Sequence, residues 1–325
     1  MFYTELIYLT LYAILQTGDN IMESVLNEVL LEGKKYISNG EVARYIPELA
    51  KVDKNLIGIC LADNDKVYSS GNVEDYFTMQ SVVKPLILLL ALMDNGIEDV
   101  RKLVGVEATG KPFDTFNYTD QALSAENINP MVNAGAIALC TLISGKDYNE
   151  KFGRLLNLVR TVSGNQNLDI DEKVYLSEKA TGNKNRALAY MLKAYGLVTD
   201  NVDDILDCYF KACSIKVTAV DLAQIANVFA NGGLNIKTNE RIFDKKYARY
   251  INAILITSGM YDGSGEFALS VGVPAKSGVG GGIMVVVPNR MGIGIFAPSL
   301  DKKGNSVAGV KMLEALSEKL ELSIF

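Results

Sequence analysis

The stretch "LIGICLADNDKVYSSG", Leu56 to Gly71, is an apolar run and a second short strand-like run separated by the polar triplet Asp63-Asn64-Asp65. Two short strand-like runs around a turn triplet predict a β-hairpin. From about Gln80 to Gly232 the apolar positions recur at helical spacing instead, in "NAGAIALCTLIS", "YNEKFGRLLNLVRTVSG", "NRALAYMLKAYG" and "TAVDLAQIANVFANGG". The last opens on Thr218, an expected N-cap, and stops at Gly232-Gly233. After Ala268 the texture returns to short strand-like runs, "LSVGVPAKSG", "GGIMVVVP" and "MGIGIFAP", before a final amphipathic segment, "VAGVKMLEALSEKLEL", that predicts a helix.

Strands near both ends with helices between them predict an α/β protein of the α+β type. The terminal strands join in one antiparallel sheet, the last helix flanks it, and a helical subdomain lies alongside. A doubly wound parallel sheet would need strands alternating with helices throughout, and the middle of the chain offers none. With no internal repeat, low-complexity tract or linker, residues 22–325 read as one domain: a sheet subdomain of about 22–80 and 233–325, and a helical one of about 81–232. The apolar stretch Ile7 to Leu15 has no preceding Lys or Arg, carries Glu5 upstream and lacks a small-x-small cleavage pattern. Residues 1–21 therefore read as an extension, or as an upstream start ahead of Met22. Neither that stretch nor Pro85–Met93 is long enough alone to span a bilayer, so a cytoplasmic protein is expected.

Charge narrows the partners. The net charge is −6 with a pI near 5.0, which gives no electrostatic footprint for nucleic acid or an anionic membrane and points to a small substrate. Histidine is absent from all 325 residues. That removes Ser-His-Asp triads, Cys-His pairs and His-ligated metals, and leaves Lys, Tyr, Asp/Glu, a perturbed Cys or water for acid–base work. Cys60, Cys140, Cys208 and Cys213 form no CxxC pair and read as buried reduced thiols. Gly105 to Pro112 nearly spells a phosphate loop, but Pro112 replaces the hydroxyl residue that binds Mg²⁺. "SGVGGGI" leads into a strand rather than a helix, so dinucleotide binding fails, and its glycines are expected to let a substrate approach a strand edge. "DNDKVYSSG" lacks the ligands of a calcium loop.

The segment "FTMQSVVKPLILLLAL" sets Ser81 and Lys84 on one face of an expected helix start. A lysine among Leu86, Leu89 and Leu90 loses hydration, which disfavours its charge and suits it to act as a base. The same residues also fit a plain N-cap and a lysine snorkelling to water, and the segment alone leaves both readings open. Ser-x-x-Lys recurs at Ser299–Lys302, between Pro298 and a Lys/Gly turn, with no partner strand, and reads as a decoy. What tips the balance at Ser81 is Lys276-Ser277-Gly278 after a strand-like run, the companion motif of serine enzymes that recognise penicillin. A strand edge there can offer a backbone N–H opposite that of Ser81, making an oxyanion hole.

Beyond these tripeptides, "VARYIPELA", "FTMQSVVK", "NPMVNAGAI", "SEKATGNKNRALAYMLK", "GMYDGSGEFA", "PAKSGVGGGIMVVVPNRMGIGIF" and "GNSVAGVKML" occur in one order. In them the chain resembles the serine-dependent bacterial glutaminases of the β-lactamase/transpeptidase-like superfamily, from about Met22 to the C-terminus. Val83 and Pro85 depart from the family's usual small polar and apolar residues, and neither bears chemistry. The resemblance implies Ser81 as nucleophile, Lys84 as base and Tyr261 as proton relay. It implies substrate-binding roles for Tyr45, Ser81, Asn133, Glu178, Asn185, Tyr209, Tyr261 and Val279, an oxyanion hole from the N–H groups of Ser81 and Val279, and Lys276, Ser277 and Gly278 as supporting motif. It further implies L-glutamine as substrate, no metal or organic cofactor, and a homotetramer. Glu178 would meet the substrate ammonium, and Asn and Tyr donors its carboxylate. Another serine amidase or β-lactamase-like hydrolase, or a silent amino-acid-binding protein, are the rivals on the same scaffold; nitrocefin turnover or binding without ammonia release would distinguish them.

Overall fold

A computed structural model describes residues 19–64, 66–108, 124 and 127–325. The segment 1–18, Asp65 of the predicted turn, and the phosphate-loop look-alike beyond Ala108 lie outside the described residues. In chain order the strands are β1 (Gly58–Asp63), β2 (Lys66–Gly71), β3 (Phe77–Thr78), β4 (Lys216–Val217), β5 (Leu234–Asn235), β6 (Glu240–Arg241), β7 (Ala275–Ser277), β8 (Gly282–Val287) and β9 (Met291–Phe296). The helices are α1 (19–34), α2 (Lys84–Arg101), α3 (Asn133–Leu142), α4 (Tyr148–Ser163), α5 (Glu172–Thr181), α6 (Asn183–Ala194), α7 (Val202–Cys213), α8 (Ala219–Ala230), α9 (Lys245–Ser258), α10 (Ser264–Ser270) and α11 (Val307–Leu320).

The predicted joining of terminal strands is what forms: an antiparallel five-stranded sheet in the order β2-β1-β9-β8-β7. Strand alternation sorts its side chains. Cys60, Ala62, Met284, Val286 and Phe296 face the core shared with α2, α3, α4, α7 and α8. Ile59, Leu61, Ile283, Val285, Ile293 and Ile295 face α1 and α11, where Leu26, Val29, Met312, Leu313 and Leu316 pack. Both faces being covered, β8 and β9 read as continuous apolar runs, while the edge strand β2 alternates half-buried and exposed residues. Gly292 and Gly294 explain the spelling "MGIGIF". A Cβ at either would come within 2.2 Å of the α8 backbone, so helix and strand meet without side chains between them.

Thr218 is the N-cap of α8 as expected, closing a capping box with Asp221. Two expectations change. "LSVGVPAKSG" is strand only at Ala275–Ser277, because Leu269 and Ser270 end α10 and Gly272 turns with a positive φ of 76°. The helical middle also contains β4, paired with β3 in a two-residue ladder. Helix α1 runs through the Met22 boundary, and Asp19 accepts hydrogen bonds from Lys66 (2.7 Å) and Tyr68 (2.6 Å).

With its leading turn, α2 spans Gln80–Arg101, 22 residues with mean hydropathy 1.3, the length and composition of a bilayer-crossing helix, but Gly96 (φ 79°, ψ 171°) is non-helical and divides it soon after the apolar run. Within the protein 72% of its most apolar window is buried against the core, which accounts for that composition.

Candidate active site

Ser81 stands where three elements meet. β3 pairs with β4, and Met79 N donates to Ile215 O at 2.9 Å, so the chain entering Ser81 is joined to the chain leaving α7. Gln80 then takes a left-handed backbone, φ 47°. That conformation costs a non-glycine residue roughly 1–2 kcal/mol. It swings the chain into a 3-10 turn, Gln80–Val83, which feeds α2 at Lys84. Ser81 is therefore inside the turn and buried, not a helix N-cap. Pro85 falls in the first turn of α2, where its missing N–H leaves no bond unmade.

Lys84 is wholly buried. Leu86, Leu89 and Leu90 are core residues as expected, yet the amino group does not end among them. Its Nζ donates to Asn133 Oδ1 at 2.7 Å and to Met131 O at 3.2 Å. The expected apolar surroundings are thereby corrected: the buried amino group ends on two oxygen acceptors, one in the chain leading into α3 and one on its first residue.

Against this turn packs the loop after β7. A Cβ on Gly278 would lie 2.6 Å from Met79 O, and one on Gly280 2.4 Å from Thr78 O. The glycines of "SGVGGGI" thus admit the backbone that leads into Ser81. Val279, between them, donates its N–H to no group among the described residues. Its side chain packs with Ile46, Leu49 and Val174. Lys276 and Ser277 are fully buried, and Ser277 Oγ is a buried atom without a hydrogen bond.

Tyr261 opens a short 3-10 turn with φ 53°, the second left-handed non-glycine residue beside Ser81. Burial pushes its hydroxyl above the usual tyrosine range, while a hydrogen bond with Ser81 pulls the other way. Lys276 Nζ lies 4.4 Å from the centre of its ring.

Ser81 opens onto a cavity of about 280 Å³ lined also by Tyr45, Ile46, Gln80, Asn133, Glu178, the run Thr181–Asn185, Tyr209 and Cys213. Asn133 is its hub. While Oδ1 accepts a hydrogen bond from Lys84 Nζ, Nδ2 donates to Asn185 Oδ1 at 2.9 Å, and the Tyr209 hydroxyl lies 3.4 Å from Oδ1. Glu178 is buried, and desolvation lifts its carboxyl to about 8, against the Lys84 charge and a hydrogen bond from Gln80. Its Oε2 has no hydrogen-bond partner. Tyr45, 57% exposed, stands at the rim.

The glutaminase family model matches residues 40–325. The chain belongs to the glutaminase family. A glutaminase of Clostridioides difficile is 50% identical over 304 residues, which cover 93% of this chain and 98% of that protein. A probable glutaminase from Bacillus subtilis complexed with 6-diazo-5-oxo-L-norleucine superposes with a TM-score of 0.85 at 36% identity, covering 93% of this chain and 96% of that one. The covalent complex formed when a B. subtilis glutaminase reacts with the same compound also gives 0.85 at 36% identity, over 92% and 98% of the two chains. The fold is accordingly the β-lactamase-like one.

Within this glutaminase the structure gathers Tyr45, Ser81, Asn133, Glu178, Asn185 and Tyr209 around one cavity, with Lys84 and Tyr261 behind Ser81. Val279 does not line that cavity; it borders a neighbouring groove that shares Tyr45. Gln80, Ile46, Cys213 and Thr181–Lys184 line the cavity without having been singled out. Gln80 adjoins Ser81, and 181–184 lie inside "SEKATGNKN", so proximity to those motifs was the available signal. All four cysteines are buried and free. The described residues contain no group of three His, Cys, Asp or Glu side chains that could hold a metal ion.

Proposed function

We propose that this glutaminase hydrolyses L-glutamine to L-glutamate and ammonia through an acyl-enzyme on Ser81. The observation that carries the reading is a buried serine, backed by Lys84 and Tyr261, facing a cavity whose one carboxylate among the described lining residues is Glu178. In its neutral form Lys84 takes the Ser81 proton, and Oγ attacks the side-chain amide carbon of glutamine. The N–H groups of Ser81 and Val279 hold the developing oxyanion; losing one such donor costs about 3 kcal/mol. The C–N bond then breaks, Tyr261 or Lys84 protonates the departing ammonia, and water hydrolyses the γ-glutamyl ester to regenerate Ser81. Glu178 receives the α-ammonium, and Tyr45, Asn133, Asn185 and Tyr209 supply the polar contacts for the α-carboxylate and the amide. The covalent norleucine complex of the B. subtilis relative supports attack by a side chain on a glutamine analogue.

Peptide mass spectrometry after incubation with 6-diazo-5-oxo-L-norleucine tests the assignment: the adduct is expected on Ser81, and an adduct elsewhere, or ammonia release by Ser81→Ala, overturns it. We further assign residues 22–325 to one catalytic domain, with 1–21 as an extension, acting in the cytoplasm as a homotetramer. Leu176 and Tyr190, each 58% exposed on α5 and α6, offer apolar surface for a second copy, and light scattering reads the assembly directly.

A further inference from the structure

Three successive carbonyls of the loop that carries Tyr261 are held by side chains from three places in the fold. Lys276 Nζ, on β7, donates to Gly259 O at 3.1 Å. Asn305 Nδ2, from the loop before α11, donates to Met260 O at 3.0 Å. Ser264 Oγ, at the start of α10, donates to Tyr261 O at 2.8 Å and accepts from Met260 N at 3.0 Å. Asn305 is itself fixed, its N–H donating to Asp301 Oδ1 at 3.0 Å. The residue so gripped, Tyr261, is the one in a left-handed backbone, a conformation that persists only where its surroundings over-determine it.

Lys276 could be read as a second substrate or proton-handling lysine, since it belongs to the Lys-Ser-Gly motif. Its geometry speaks otherwise. The side chain is wholly buried and absent from the cavity lining, its Nζ donates to Ser277 O at 2.6 Å as well as to Gly259 O, and the Tyr261 ring covers it. Every direction in which it could offer a donor is directed at the Tyr261 loop or its own strand.

We propose that Lys276 and Asn305 are positioning residues that hold the Tyr261 hydroxyl against Ser81 and touch neither the substrate nor the transferred proton. The inference rests on the reading of Tyr261 as proton relay given above. Burial, then the nearby charge of Lys84, drives the Lys276 amine well below the usual lysine range. A neutral amine has two N–H donors, and two carbonyl oxygens are there to accept them.

A double-mutant cycle tests the proposal. Lys276→Met keeps the stem and removes the donors; kcat should fall on the order of 100-fold, as for a misplaced reacting group. KM for glutamine should stay within about twofold, because no substrate contact is lost. In a Tyr261→Phe background the same substitution should cost less than about threefold, since the group it positions is already gone. The pH profile of kcat/KM should keep its shape in Lys276→Met. Asn305→Ala should repeat the pattern at roughly 10-fold, and it carries the test if thermal unfolding shows Lys276→Met to be misfolded. A large rise in KM with kcat retained makes Lys276 a substrate anchor and overturns the proposal. So does a loss that persists in full in the Tyr261→Phe background. Retained activity in Tyr261→Phe alone is a different result, and refutes the relay reading instead.

Discussion

Ser81 and Lys84 occupy a buried 3-10 turn between a two-residue ladder and the central helix α2, whereas Ser299 and Lys302, at the same spacing, occupy the loop before α11. The second serine is fully buried, and its hydroxyl donates to Ile37 O at 2.6 Å, beside the bridge between Glu41 and Leu300. Lys302 is exposed to solvent. One hydroxyl is consumed by a backbone carbonyl; the other faces a cavity and a tyrosine. Spacing is therefore silent about reactivity, which is decided by what the rest of the fold brings to the oxygen. At Ser81 the fold brings Tyr261, a lysine held by Asn133, and the turn after β7.

Exchanging residues between the two places breaks the comparison at its strongest point first. Ser81→Ala should lower the rate of ammonia release by at least ~10⁴-fold, with glutamine still bound in calorimetry. Lys84→Met follows at roughly 10²–10⁴-fold in kcat, against no measurable change for Lys302→Met in the same coupled assay. Glu178→Gln should raise KM for glutamine sharply with a smaller effect on kcat, and an unchanged KM would remove Glu178 from the ammonium site.

The titration of Glu178 sharpens the contrast further. Its folded carboxyl titrates near 8, above the ordinary value of 4.5, so the folded state holds the extra proton between those values. Glu178 therefore costs stability increasingly as pH rises from 4.5, and the cost is complete above about 8. Glu178→Gln should unfold at a higher temperature than the parent chain, with a gap that widens up to that pH and closes in acid. For the same reason, glutamine binding to Ser81→Ala near neutral pH should release a proton, read as a dependence of binding heat on buffer ionisation enthalpy. The smallest effect belongs to the second serine. Ser299→Ala strands Ile37 O and should cost about 1–3 kcal/mol in denaturant unfolding while leaving kcat in place.

Much of the frame was legible in the chain because it rests on local patterns. The apolar runs of β1, β8 and β9 mark them as strands, and Thr218 marks the start of α8. The site is less local. The left-handed turns at Gln80 and Tyr261 occur at residue types that give no sign of them. The acceptors of Lys84 come from Met131 and Asn133, in a different segment, so its apolar neighbours in sequence misdescribe where its amino group ends. The β3–β4 ladder is two residues long on each side, too short for periodicity to register. Tyr45, Glu178 and Tyr209 have ordinary packing or surface readings in isolation, and only the longer motifs marked them out.

That short ladder also governs traffic. It binds the stretch leading into Ser81 to the end of α7, so the catalytic floor and the Tyr209–Cys213 wall form one continuous piece of hydrogen-bonded backbone. The opposite rim, Tyr45, Thr181, Asn183 and Lys184, is exposed and takes no part in it. Glutamine and glutamate should pass on that side, and substitutions that alter the speed of entry or product escape, rather than the chemistry, should cluster there.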